Sequence, residues 1–404
     1  MPVSKDSLLE VVLVVTAQSS ALNEKPELEI STQQKISTKS KPKPKSDYSI
    51  GYIPALDGLR AFSILLVMFF HDIGPVTSNY GHYLNGWIGV DVFFVISGFL
   101  ITSILLKESK DTGTFSLKNF YVRRWLRIAP AYYAFIGVVL AWTIWGGNHH
   151  LKPFIAAALY LTNLDLAFSW NLIPLKLGMS HLWSLAVEEQ FYLFWPAMLK
   201  GLKQHATKVV LAIIAAVYCW KLLLVSRGAD WVRICHGFDT RLDVLMYGAL
   251  IALVISNPSW RGAAAKVLGN GWAQTALLIT MITGFHLLGH PGQQPAMFFW
   301  SVKMPLVIST VAAFITSILL APRALVSVIL SNPLFVWLGK LSYSLYLWHP
   351  LVHSIYCAFY WDYFCKHGPK AELYQYGWIL AVSALSYYAI ERPFLSLKSK
   401  FSSH

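Results

Sequence analysis

The first strongly hydrophobic segment of the chain reads DGLRAFSILLVMFFH over residues 57–71. Within it, Arg60 and His71 bracket ten uncharged and mostly apolar residues. Because eleven helical steps return almost to the starting azimuth, both side chains lie on one face of a helix, about 16 Å apart along its axis. A bilayer span needs about 20 residues, so at least one of the two ionisable groups would lie at the depth of the bilayer. The segment therefore predicts a transmembrane helix with a functional polar face.

The composition is that of a membrane protein. The chain is 55% hydrophobic and only 13% charged, about half the charged share of soluble domains. A formal net charge of +13 suits a protein with Lys and Arg on cytoplasmic loops. We expect no nucleic-acid partner, because no basic helix alternates with stacking aromatic residues in a soluble segment. The expected partner of the surface is the lipid bilayer.

Apolar runs and the positive-inside rule predict an all-α integral membrane protein with about ten transmembrane helices, one re-entrant or interfacial segment and both termini cytoplasmic. The predicted spans are Ile53–His71, Gly86–Leu106, Ala129–Gly146, Leu182–Leu199, Val209–Val225, Leu242–Ile255, Trp272–Leu288, Met304–Leu320, Leu341–Tyr360 and Trp378–Ile390. A full span at Pro153–Phe168 would place the lysines near residue 200 outside the cell, so that stretch is assigned as re-entrant or interfacial.

The chain divides into one membrane domain and two tails. Residues 1–50 are rich in Ser, Thr, Lys, Gln and Pro and include the basic run KPKPK at 41–45, a composition that predicts a disordered basic cytoplasmic tail. Residues 51–396 form the transmembrane domain. A short cytoplasmic tail follows at 397–404.

The cysteines and loop histidines give weak signals. No Cys-x-x-Cys pair is present, so neither a zinc site nor a redox motif is indicated. Cys235 and Cys365 fall in external loops of the predicted topology, where a disulfide between them could form. His149 and His150 are adjacent, and such loop histidines are usually solvated, so we expect no metal.

Ionisable residues recur inside the predicted spans. They are Asp57, Arg60, His71, Asp91, Glu188, Glu189, Asp243 and His349. On insertion scales, a charged residue near the centre of a span costs about 2.5–3.5 kcal/mol, so it normally faces protein or water. Any one of them could be a structural ion pair or an anchor at a helix end. Together they predict a polar cavity inside the bundle.

Seven motifs in order resemble the membrane acyltransferase-3 family. They are YIPALDGLRA at 52–61 with His71, GVDVFFVISGFLI at 89–101, FYVRRWLRIAP at 120–130, HLWSLAVEEQFY at 181–192, RLD at 241–243, LGKLSYSLYLWHP at 338–350 and IERPF at 390–394. The resemblance covers about residues 50–396. It implies an integral membrane O-acyltransferase that moves an acyl group, commonly acetyl, from cytoplasmic acyl-CoA to a hydroxyl, with acetyl-CoA or another acyl-CoA as co-substrate.

The resemblance also implies an acceptor and a location. The acceptor would be a carbohydrate, namely a cell-surface polysaccharide, a glycolipid or a lipid-linked glycan precursor, and glycan-biosynthesis proteins would be partners. The location would be a bacterial inner membrane. Some members add an extracytoplasmic SGNH hydrolase-like domain, which we do not expect here because the chain ends at His404.

Two alternative functions stay open. Some family members acylate small secondary metabolites. A non-enzymatic transporter or flippase would also suit a polar cavity and ten spans, although the paired halves with broken helices that mark many transporters are not evident. No Gly-x-Ser-x-Gly elbow supports a serine acyl-enzyme.

The residue types suggest roles at the first span. A histidine whose pKa is near neutrality is the usual group to deprotonate an acceptor hydroxyl, so His71 is the predicted general base. Arg60 suits a phosphate or a developing oxyanion, because its guanidinium offers a fixed fork of donors. Asp57 could orient substrate groups, or it could simply form a salt bridge with Arg60 one turn away.

Further site residues follow from the motifs. Arg123, Arg124 and Arg127 in the predicted loop before the third span could bind the phosphates of coenzyme A, although such clusters are also topology anchors. Adjacent Glu188 and Glu189 point about 100° apart and cannot both face one site. The resemblance favours Glu188 as the acid of the motif and hence as a catalytic residue, with Glu189 as the alternative. The remaining motif residues are assigned mainly to holding the bundle together; these are Asp91, Arg241, Asp243, His349 and Glu391.

Overall fold

The computed structural model describes residues 51–71, 85–147, 151–170, 178–284, 286, 295–367 and 369–401. Within these ranges the chain is helical and contains no β-strand. The predicted disordered tail at 1–50 lies outside the described residues, as do His149, His150 and residues 402–404. The all-α fold class is confirmed for the described part of the chain.

The described ranges contain seventeen α-helices. They are α1 (Pro54–His71), α2 (Ile88–Thr112), α3 (Leu117–Trp145), α4 (Lys152–Ala158), α5 (Thr162–Ala167), α6 (Leu182–Leu202), α7 (Ala206–Ser226), α8 (Trp231–His236), α9 (Phe238–Ser256), α10 (Pro258–Leu268), α11 (Gly271–Ile279), α12 (Ala296–Phe298), α13 (Met304–Leu320), α14 (Leu325–Leu330), α15 (Pro333–His367), α16 (Pro369–Ser386) and α17 (Arg392–Leu397). Three π-helical segments, Thr280–Gly284, Phe299–Lys303 and Tyr387–Glu391, and two 3₁₀ segments, Lys203–His205 and Lys398–Phe401, lie between or after them.

Each predicted span overlaps a helix, but the number of crossings is only partly supported. In the part of the chain that the structure describes, five helical segments are long and apolar enough to cross a bilayer: Pro54–His71, Ile88–Thr112, Leu117–Trp145, Ala206–Ser226 and Ala296–Leu320. Others are shorter or more charged; α9, for example, carries Asp239, Arg241 and Asp243 within 19 residues. Ten crossings and cytoplasmic termini therefore stay predictions.

The structure corrects the position of the arginine motif. Arg123, Arg124 and Arg127 lie in the first turns of α3 and not in a loop, because that helix begins at Leu117. Ser116 caps it, its side chain accepting a hydrogen bond of 3.2 Å from the backbone N–H of Asn119. Hydropathy finds only the apolar part of a helix, so the polar first turns were missed.

Two other predictions concern short elements. The stretch assigned as re-entrant or interfacial folds as α4 and α5, of 7 and 6 residues, and neither is long enough to cross a bilayer.

Cys235 lies in α8 as a buried free thiol, so it forms no bridge to Cys365 in this structure.

The most extensive pairing between described helices is that of α2 with α9, and glycines make their close approach possible. A Cβ atom on Gly98 would overlap the carbonyl oxygen of Leu245, and one on Gly248 would overlap that of Val95. The two backbones therefore meet directly. Small residues at such crossings are how membrane helices approach closely enough for van der Waals packing.

Buried ion pairs join α2 to α9 and α7 to α9. Asp91 of α2 pairs with Arg241 of α9, and Lys221 of α7 pairs with Asp243 of α9 at 2.5 Å. All four side chains are buried. Breaking one partner of such a pair leaves an uncompensated charge, so these contacts fix which helices are neighbours. Lys221 was not singled out from the sequence.

We expect Gly98→Ala to lower the unfolding free energy by about 1–3 kcal/mol, because the added methyl must push α2 and α9 apart. Gly137→Ala is the matched control, since a Cβ atom there meets nothing within 4 Å. Thermal unfolding of the two variants in the same detergent measures the effect. Equal melting temperatures would contradict the direct backbone contact.

Candidate active site

A central cavity lies between α1, α2, α3, α6 and α15. Its polar lining consists of Arg60, Ser97, Arg124, Arg127, Ser184, Glu188, Ser342, Tyr343 and Tyr346. Ser97 donates a hydrogen bond of 2.6 Å to the carboxylate of Glu188, and Tyr192 donates another of 3.1 Å. These two donors hold Glu188 at the wall of the central cavity.

Glu188 and its neighbour Glu189 face different spaces, as their offset on the helix requires. Glu189 lines a separate cavity beside Trp125 and Tyr160. The structure therefore places Glu188 in the candidate site and leaves Glu189 outside it.

The arginines of the central cavity present hydrogen-bond donors to it. Arg60 lies 3.8 Å from Asp57, so the two residues form the expected pair one turn apart. Arg124 lies 3.7 Å above the centre of the Tyr192 ring. The Nε atoms of Arg60 and Arg124 are buried and have no hydrogen-bond partner among the described residues. Because unsatisfied buried donors are costly, these guanidinium groups suit an anionic ligand.

Arg123 differs from the other two arginines of its motif. Its guanidinium donates to Glu108 of α2 at 2.8 Å and to the carbonyl oxygen of Phe401 at 2.7 Å. Both contacts are made within the protein. Arg123 therefore joins α3 to α2 and to the segment Lys398–Phe401.

A second space, the basic cavity, adjoins the central cavity and shares Arg60, Arg127 and Tyr343 with it. Its charged lining is Asp57, Arg60, Lys107, Arg127, Lys340 and Glu391. Tyr52 donates a hydrogen bond of 2.7 Å to Asp57 there. Four cations against two carboxylates give this cavity a positive potential. In the predicted topology, Lys107 and Lys340 mark it as the cytoplasmic side.

The arginine end of α3 also acts on the segment Lys398–Phe401. Burial and, to a smaller extent, the positive charges of Arg127, Arg124 and Arg123 together lower the pKa of Lys398 to about 8. The share of this shift that comes from the three arginines reflects a locally positive field, which a bound anion would offset.

A third space, the aromatic cavity, adjoins the other end of the central cavity, with Val90 and Tyr346 on both walls. It is lined by His71, Trp87, Trp183, Trp231, His236 and Trp300, among others. Arg60 does not reach this space. Arg60 and His71 therefore line different cavities. The basic, central and aromatic cavities adjoin one another in that order.

His71 is oriented by the backbone. Its Nδ1 lies 2.8 Å from the carbonyl oxygen of Val67. A carbonyl oxygen can only accept, so Nδ1 carries a proton, and in the neutral ring the lone pair is then on Nε2. A neutral imidazole in this tautomer accepts a proton at Nε2.

Two further histidines lie beside His71. The ring centres of His71 and His349 are 5.4 Å apart, and those of His349 and His181 are 5.7 Å apart. Tyr346 donates a hydrogen bond of 2.8 Å to the carbonyl oxygen of His181. In the part of the chain that the structure describes, no group of three or more His, Cys, Asp or Glu residues is placed to hold a metal ion.

The sequence did not predict this convergence. His349 was assigned mainly to holding the bundle, and His181 was given no role of its own within its motif. Both belong to motifs whose outer ends meet in the predicted topology, and that signal could have identified them. Lys107 and Lys340 were also not predicted as site residues.

Comparison with known proteins defines the family. The profile of a family described as "Acyltransferase domain" matches residues 53–390. A protein of Staphylococcus aureus (strain COL), named provisionally as an O-acetyltransferase, is 32% identical over 367 residues, which cover 85% of this chain and 57% of that protein. No solved structure matches the chain.

Two further relatives carry more specific names. The "Peptidoglycan O-acetyltransferase OatA" of Listeria monocytogenes serovar 1/2a is 32% identical over 75% of this chain and 49% of its own length. The "O-acetyltransferase OatA" of S. aureus (strain NCTC 8325 / PS 47) is 33% identical over 75% of this chain and 51% of its own length. The chain thus spans about half the length of the curated relatives it matches. With a family match over most of its residues, the chain belongs to this acyltransferase family, as an integral membrane member.

Proposed function

We propose that the protein is a membrane O-acyltransferase that moves an acyl group, commonly acetyl, from cytoplasmic acyl-CoA to a hydroxyl of a carbohydrate acceptor. The names of the relatives support O-acetyl transfer, and one of them supports a glycan acceptor. The observation that carries the proposal is the series of adjacent cavities, with Arg60 lining the basic and central cavities and His71 the aromatic cavity. The membrane would be the inner membrane of a bacterium.

The proposed binding site for the acyl donor rests on the positive charge of the basic cavity. The phosphates of the donor would bind at the basic cavity, with Arg127, Lys107 and Lys340 as counter-charges. Arg60 and Arg124, whose Nε atoms lack partners among the described residues, would meet the donor where the central cavity begins. We assign Arg123 to positioning, because its contacts already join three segments of the protein.

The reacting atoms would meet beside His71. Its Nε2 takes the proton of the acceptor hydroxyl as the oxygen attacks the thioester carbonyl, so a C–O bond forms and the C–S bond breaks. The thiolate of coenzyme A leaves and recovers the proton from the imidazolium. Asp57 holds the orientation of Arg60, and Glu188 provides a fixed negative charge between the donor and acceptor ends of the site.

His71→Gln should lower acyl transfer by about 10²–10⁴-fold, because the amide cannot take the hydroxyl proton. Binding of acetyl-CoA, measured by calorimetry on the detergent-purified protein, should be unchanged. His205→Gln is the matched control, since His205 is exposed at the start of α7. Full activity of His71→Gln would exclude the general-base role.

Arg124→Ala should weaken acetyl-CoA binding by about 10–100-fold, the value of one or two hydrogen bonds to a charged group. Arg227→Ala, which removes an exposed arginine, should leave the dissociation constant as it is. The melting temperature of each variant checks that folding is intact. If both variants bind acetyl-CoA like the wild type, the phosphates are held elsewhere.

Acetyl-CoA affinity should fall several-fold between pH 7 and 9. The pKa of Lys398 is lowered to about 8, so this side chain loses its charge across that interval. A bound polyanion favours the protonated form, so the complex holds more protons than the unliganded protein and binding weakens as pH rises. Lys398→Met should flatten the profile, whereas Lys400→Met should not. Parallel profiles for all three proteins would show that Lys398 does not sense the donor.

A further inference from the structure

The wall of the aromatic cavity consists mainly of aromatic side chains. Its lining contains four tryptophans, two phenylalanines, two histidines and a tyrosine. The aliphatic part consists of Val90, Ala229 and Ala296, with neither leucine nor isoleucine among the described lining residues. A space formed to hold a lipid chain would be expected to use branched aliphatic side chains, because they conform to a flexible hydrocarbon.

The rings brace one another. The ring centre of Trp231 lies 5.0 Å from that of Trp300, 5.3 Å from that of Phe299 and 5.8 Å from that of Trp87. Phe299 and Trp300 are each 2% exposed, whereas Trp231 and Trp87 are partly exposed. Two rings thus form a buried backing, and two present surface to the cavity. The wall is preformed, so a ligand would not have to order it on binding.

Polar groups stand among these rings. Trp183 lies 4.6 Å from the ring of His236, whose Nδ1 is 2.7 Å from the carbonyl oxygen of Val232. That carbonyl leaves the lone pair of His236 on Nε2. Arg241, 3% exposed, forms part of the lining, held there by its ion pair with Asp91. The cavity therefore combines large flat apolar faces with a few fixed donors and acceptors, the usual design of a specific small-molecule site.

A sugar ring matches this combination. The face of an aromatic ring is electron-rich, and the C–H bonds on one face of a pyranose carry small positive charges, so the two surfaces attract each other. The hydroxyl groups around the rim of the sugar need hydrogen-bond partners such as an indole N–H or an imidazole nitrogen. A hydrocarbon chain would offer no hydrogen-bond partners to the polar groups of the cavity wall.

We propose that the aromatic cavity binds a pyranose ring of the acceptor, with Trp231 and Trp183 as stacking platforms and His236 as a partner for a hydroxyl. The inference rests on the proposed function, since it places the acceptor where His71 lines the same cavity. A hydroxyl of a ring stacked there lies next to the group that takes its proton. Trp231, Trp183 and His236 then determine which saccharide is acylated.

The test uses the full chain in detergent with two soluble probes, the tetramer of N-acetylglucosamine and maltotetraose. Calorimetry gives the dissociation constants, and saturation-transfer NMR reports whether ring C–H protons contact the protein. We expect at least one probe to bind, with saturation strongest on the C–H protons of one sugar face. Trp231→Leu and Trp183→Leu should each weaken binding about tenfold or more, while Trp231→Phe, which keeps a ring, retains most of it.

Trp272→Leu is the matched control, because Trp272 is 87% exposed and lies outside the aromatic cavity. Acetyl-CoA binding and the melting temperature identify any variant that fails to fold. If Trp231→Leu does not fold, saccharide binding by Trp183→Leu decides the test. The proposal is overturned if neither probe binds the wild type, or if folded Trp231→Leu and Trp183→Leu bind as the control does.

The inference and the proposed function can fail separately. If a probe binds through these tryptophans but is never acylated from acetyl-CoA, the saccharide site stands and the transfer reaction does not. If a saccharide is acylated at the wild-type rate by folded Trp231→Leu and Trp183→Leu, the reaction stands and the site is overturned.

Discussion

An ionised side chain inside a bilayer is stable only where protein or water surrounds it, and this constraint determines the interior of the bundle. The chain meets it in two ways. Asp91 with Arg241, and Lys221 with Asp243, neutralise each other where three helices meet. Arg60, Arg124 and Arg127 instead line cavities, where not every donor has a partner among the described residues. The first set holds the helices in register, and the second is available for a ligand.

Local sequence patterns predicted the features that depend on one helix. The pairing of Asp57 with Arg60 and the divergence of Glu188 from Glu189 follow from 3.6 residues per turn, and the structure shows both. Apolar runs located a helix at every predicted span. The polar first turns of α3 were missed, because an apolar run marks only the part of a helix inside the bilayer, and α3 extends beyond that part.

Features that depend on which helices are neighbours could not be read in the same way. Nothing in the sequence near Lys221 identifies Asp243 as its partner, since only the packing of α7 on α9 brings them together. The approach of His349 to His71 likewise depends on the packing of α1 against α15. The family resemblance identified His71, Asp243 and His349 as parts of motifs, but not Lys221. It did not supply the spatial relation between any of these residues.

Helix α2 borders all three cavities, with Lys107 at the basic end and Val90 at the aromatic end. Its 25 residues form a rod roughly 37 Å long. Gly98 lies near the middle of that rod, where backbone meets backbone and nothing compressible intervenes. This crossing is therefore a fixed contact point near the middle of α2. A tilt of α2 about this crossing would move Lys107 and Val90 in opposite directions, and would so couple the shape of the basic cavity to that of the aromatic cavity.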